Sequence, residues 1–135
     1  MYKNILVAIA PDHSTPTGPA LDIARRLAAD DAKITALTVL ENIPEYAILQ
    51  LPAGIHENRK DEAKTLLRSD IGGVKGVETE VILGRSYRGI LDYAKEKGVD
   101  CIVISSHRPG LSDYLLGSTA ARVVRHATCS VHVIR

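Results

Sequence analysis

Residues 101–119 read CIVISSHRPGLSDYLLGST. The first four are apolar and mostly β-branched, and Cys101 to Ser105 reads as a short strand covered on both faces. From Ser105 to Thr119 the chain is rich in Ser, Gly and Pro and reads as a loop. An amphipathic run then leads from Thr119 to Arg125. Gly117, Ala120, Ala121 and Val124 mark a helix there, with small residues on its packing face. A strand passing through a loop into a helix is half of a βαβ unit, so this stretch sets the fold class. The loop ends in Gly117, Ser118 and Thr119, where the helix should begin. A helix start carries unpaired N–H groups and partial positive charge, both of which favour an anion. Arg108 adds a planar cation suited to phosphate oxygens. Two readings stand: a nucleotide phosphate loop, or a capped helix start behind a surface loop. Short Gly/Ser signals do not separate them.

Working outward, residues 4–9 (NILVAI) form another apolar run without polar alternation. APDHSTPTGP follows as turn material. Ala20, Ile23, Ala24 and Leu27 then fall at helical spacing, and the helix should stop near Asp30 and Asp31. Residues 33–40 (KITALTVL) form the second strand, and residues 41–54 a long excursion with room for a helical turn. Residues 55–71 form a helix with a strongly charged face. Residues 77–83 (VETEVIL) form a third strand whose polar first half suggests a sheet edge. The next helix has Ser86 as its N-cap, a stripe of Tyr87, Ile90, Leu91 and Ala94, and Gly98 as its stop. Residues 130–134 (SVHVI) form a fifth strand. Strands alternating with helices predict one α/β domain over residues 1–135, a five-stranded parallel sheet with helices on both faces. In such sheets ligands bind beyond the carboxyl ends of the strands, where the strand order reverses. In a 3-2-1-4-5 order that point lies between the first and fourth strands, and the two richest loops follow those strands.

Composition narrows the function. Seventeen Lys and Arg face sixteen Asp and Glu, and the chain has no Trp or Phe. A nucleic-acid binder would carry a basic excess and stacking aromatics. No apolar run approaches a membrane span, and the opening MYKNILVAIAPD is interrupted too soon for a signal peptide. The expectation is a soluble, cytoplasmic protein without nucleic-acid or membrane partners. Cys101 and Cys129 read as buried thiols of a reducing compartment, with a disulfide between adjacent strands as the lesser alternative. No Cys/His spacing resembles a metal site.

No P-loop and no GxGxxG signature follows the first strand. Asp12 lies just past it, where it could meet a ribose or a Mg²⁺ ion, or simply cap a turn. His13 and His107 flank the same point, with no Ser or Cys nucleophile paired to either. His126 and His132 read as a helix end and a strand residue. Asp92–Lys95 and Glu62–Arg59 read as helix-surface charge pairs.

These residues resemble the universal stress proteins from end to end. MYKNILVAIA is similar to their first strand, ALTVLE to their second and VDCIVISSH to their fourth. GSTAARVVRHATCSVHVIR is similar to their fourth helix and fifth strand. Members that bind ATP carry G-x2-G-x9-G-[S/T] after the fourth strand. Gly117 and Ser118 match its end, and Ser106 and His107 match the residues after its first Gly. Ser105 and Arg108 stand where its first two glycines would be, and the spacer before Gly117 is one residue shorter. SHRPxxxxYLLGS resembles one nucleotide-binding branch of the family. The family's acid after the first strand falls at Ala10 here, with Asp12 two positions on.

The resemblance implies a Rossmann-like 3-2-1-4-5 sheet and a homodimer through the last strand, residues 130–135. It implies ATP or another adenine nucleotide as ligand, with Mg²⁺ carried by the nucleotide near Asp12. Val39 would hold the adenine, and backbone amides around Arg108 and at Gly117, Ser118 and Thr119 would hold the phosphates. Ala8, Ile104, Ser105, Ser106, His107 and Gly110 complete the candidate site, with no catalytic residue assigned. The implied role is a nucleotide-responsive stress or regulatory protein. The alternatives are a slow ATP hydrolase or self-phosphorylating protein, and a dimeric adaptor that binds no nucleotide.

Overall fold

A computed structural model describes residues 1–11, 17–41, 44–50, 52, 55–71, 74–106 and 116–135. The elements run β1 (Tyr2–Ala8), α1 (Thr17–Leu27), β2 (Ala28–Leu40), α2 (Glu45–Ile48), α3 (Ile55–Ile71), β3 (Val77–Leu83), α4 (Ser86–Glu96), β4 (Cys101–Ser105), α5 (Ser118–His126) and β5 (Ser130–Ile134). The five strands form one sheet in the order β3-β2-β1-β4-β5, with parallel pairing throughout. The expected single α/β domain, strand order and Rossmann-like layering are therefore present.

The absence of polar alternation in the central strands has a direct cause, since both faces of the sheet are covered. Ile5 and Val7 point into one core layer with Ala20, Leu21 and Ala24 of α1 and Leu67 and Ile71 of α3. Leu6, between them, points into the other layer with Ile90 and Ala94 of α4 and Ala120 and Val123 of α5. Cys101 and Val103 alternate with Ile102 and Ile104 in the same way. Burial pushes the Cys101 thiol up to about 11. Cys129 is half-buried, and neither cysteine is in a disulfide.

The lower ends of β1 and β4 are laced together. The Asp100 carboxylate accepts the amides of Lys3 (2.8 Å) and Asn4 (3.0 Å), and the Asp100 amide donates to the Asn4 carbonyl (2.9 Å). α4 ends where Gly98 adopts a φ of 68°, with Val99 donating to Ala94 and Gly98 to Lys95. This is a Schellman turn, which needs a residue at ease in the left-handed region.

Several sequence expectations are corrected. β2 begins at Ala28, directly after α1, through an irregular segment with a register shift against β1 and Asp31 at a φ of 63°. The N-cap of α4 is Arg85, and Ser86 is the first helical residue. The buried face of α5 runs through Ala120 and Val123, while Val124 is exposed. The Arg59 guanidinium donates to the Glu41 carbonyl (3.3 and 3.4 Å), an acceptor the expected pair with Glu62 did not include.

α4 lies unusually close to β2. A methyl group at Gly89 would sit 2.8 Å from Val39 Cγ1 and 3.2 Å from its Cγ2. Val39 is β-branched and has little rotamer freedom to yield. Overpacking of this kind costs about 1–3 kcal/mol, against a helix-propensity gain of about 1 kcal/mol. Gly89→Ala should therefore lower the urea midpoint. A midpoint equal to or above the wild type would show that the helix can lift off Val39 without cost.

Candidate functional site

β1 sends the chain towards α1 on one face of the sheet, and β4 sends it towards α5 on the other. Between the carboxyl ends of these two neighbouring strands lies a cavity of about 390 Å³. Its floor and apolar wall are Ala8, Ile9, Leu37, Val39, Ile90 and Ile104. Its polar side is Ser105, Ser106 and the start of α5, from Gly117 to Thr119. Of the candidate residues, Ala8, Val39, Ile104, Ser105, Ser106, Gly117, Ser118 and Thr119 all line it. Asp12, His107, Arg108 and Gly110 lie outside the described residues.

Ser106 organises the polar side. Its amide donates to the Ile134 carbonyl (2.8 Å), and its carbonyl accepts the Gly117 amide (2.9 Å). Gly117 is needed here for space rather than for conformation. Its φ is −58°, open to any residue, but a Cβ would lie 3.3 Å from the Ser106 carbonyl oxygen. The Gly117 amide, expected to face a phosphate, is thus already committed. The amides of Ser118 and Thr119 open the helix and have no acceptor within it. Among the described residues no side chain caps this end of α5.

The Ser106 side chain is different from its backbone. The residue is only 5% exposed and lines the cavity, yet its hydroxyl has no hydrogen-bond partner among the described residues. Buried polar groups are normally satisfied, so an orphaned one facing a cavity marks a place for a ligand atom or water.

Three residues that sequence reasoning missed complete the rim: Glu41, Arg59 and Ser86. They come from the end of β2, from α3 and from the start of α4. The Ser86 hydroxyl donates to Glu41 Oε1 (3.5 Å), and Arg59 holds the Glu41 carbonyl. No motif joins them, since they meet only through the sheet order. Among the described residues there is no cluster of His, Cys, Asp or Glu able to hold a metal ion. No helix among them is long and apolar enough to cross a membrane.

The class defined by this fold and cleft is the doubly wound α/β domain with a ligand site at the reversal of strand order. The universal stress protein family model matches residues 1–135, and the chain belongs to that family. It is 30% identical over 142 residues to universal stress protein G of Salmonella typhimurium, covering 100% of both chains. Among solved structures, universal stress protein UspA from Lactobacillus plantarum matches with a TM-score of 0.77 and 29% identity, covering 99% of this chain and 98% of that one. A universal stress protein in complex with cAMP matches with a TM-score of 0.62 and 26% identity, covering 99% and 97%.

The orphaned hydroxyl gives a test that needs no ligand. Ser106→Ala removes a buried hydroxyl that has no partner among the described residues, and a buried group left unpaired costs about 1–3 kcal/mol. The ligand-free variant should be as stable as the wild type or more so by denaturant unfolding. A loss of more than about 1 kcal/mol, the net worth of an ordinary hydrogen bond, would mean that the hydroxyl has a partner in the free protein.

Proposed function

We propose that this protein binds an adenine nucleotide, ATP with Mg²⁺, in the cleft between β1 and β4, and acts as a nucleotide-responsive stress or regulatory protein of the cytoplasm. The observation that carries the reading is the buried Ser106, whose hydroxyl has no partner among the described residues, in the wall of a cavity at the reversal of strand order. The relative in complex with cAMP, whose ligand contains an adenine ring, supports it.

In this reading the apolar wall of Ala8, Val39 and Ile104 packs against the base. Ser106, Ser118 and Thr119 meet the phosphates, the last two by the free amides of a helix start. SHRPxxxxYLLGS serves as a variant phosphate loop, with Arg108 adding charge and Asp12 taking the metal carried by the nucleotide. ATP at about 100 times its dissociation constant should add about 2.7 kcal/mol of stability, a rise of several degrees in melting temperature. A Gly117→Val protein shown to be folded by circular dichroism should lose that rise. A Gly117→Val protein that binds ATP like the wild type would sink the assignment.

We also propose a homodimer through the last strand. β5 is an outer strand of the sheet, with β4 as its single neighbour. It carries no Pro and no acidic or Lys side chain to blunt pairing, and such an edge offers unpaired N–H and C=O groups to a second copy. Sedimentation of the native protein at micromolar concentration should give a dimer. A monomer under those conditions would defeat the proposal.

A further inference from the structure

A second groove, of about 870 Å³, adjoins the first, and Glu41, Ser86, Ser118 and Thr119 line both. The charges in the two spaces differ. Among the described residues the first has one carboxylate and one guanidinium, Glu41 and Arg59, set against apolar and small residues. The second, between α4 and α5, is lined by Arg85, Arg122, Arg125 and His126, with Glu41 as the only carboxylate among the described residues. Glu41 sits at the seam, hydrogen-bonded to Ser86. Arg122 is held in place, its guanidinium carbon 4.9 Å from the centre of the Tyr87 ring. None of the three arginines has a carboxylate partner among the described residues.

A guanidinium without a carboxylate partner, beside a site read as taking phosphates, is a ready phosphate ligand. We infer that this groove takes the distal phosphates of a nucleotide whose polyphosphate chain runs beyond the third phosphate. The geometry that supports this is the shared wall. Ser118 and Thr119, assigned above to the phosphates, form the boundary across which the two spaces are continuous. The nucleoside then occupies the apolar space, and the chain of phosphates passes over the start of α5 towards Arg85, Arg122 and Arg125. The ligand class is a nucleoside tetraphosphate, or a dinucleoside polyphosphate with the same chain. This inference rests on the nucleotide reading of the cleft.

The test is titration calorimetry of the full chain with AMP, ATP and adenosine 5′-tetraphosphate. The comparison uses the wild type and the double variant Arg85→Gln, Arg125→Gln. Neither substituted residue lines the first cavity. Wild type should bind the tetraphosphate about tenfold more tightly than ATP, the size of one good charge-assisted contact. That gain should shrink with added salt, because exposed charges are screened. The double variant should lose the gain and bind AMP as the wild type does. AMP binding with equal affinity for ATP and the tetraphosphate would overturn the groove assignment and leave the cleft reading intact. A gain that persists in the double variant would also overturn it. Failure of all three nucleotides to bind would overturn both.

Discussion

The architecture depends on β1 being buried on both faces. Ile5, Leu6 and Val7 have no exposed surface at all, and their side chains alternate between two separate apolar layers. A strand in that position needs helices above and below it. The connections out of β1 and β4 accordingly leave for opposite faces of the sheet. At one end Asp100 and Asn4 hold the two strands together. At the other, α1 and α5 lie on opposite faces, and a cavity is left between the strand ends. The cleft is thus a consequence of covering the sheet on both sides, before any particular side chain is chosen to line it.

What the side chains add is a gradient of polarity along the gap. Apolar residues of β1, β2 and β4 form the deep wall, small hydroxyl residues follow at the start of α5, and arginines stand beyond them. α4 is seated closely on β2 behind that wall, through Gly89 against Val39. Space, rather than backbone freedom, is the reason for glycine at both Gly89 and Gly117.

Much of the fold was legible because long apolar runs and helical stripes report burial directly. The expected bounds of α3, β3, β4 and β5 are those found, and the stop at Gly98 has the geometry its residue type requires. The failures have local causes. AADDA, at the start of β2, carries no β-branched residue, so nothing in it announces a strand; its pairing with β1 comes from tertiary context. Ser86 has the right chemistry for a cap, but Glu41 offers its hydroxyl a partner from another element. In α5 the adjacent valines Val123 and Val124 leave the helical phase ambiguous, and packing resolves it. Eight residues chosen for the site from the strand ends and the start of α5 do line one cavity. Glu41, Arg59 and Ser86 escaped notice because their meeting depends on strand order, which no local pattern encodes.

Ser106 has one further consequence. Through its amide it holds the end of β5, and through its carbonyl it holds the residue that opens α5. The outer strand and the mouth of the cleft are therefore anchored to the same α-carbon, like two cables on one pulley. The edge of the sheet and the wall of the cleft thus share a single residue as their common tie.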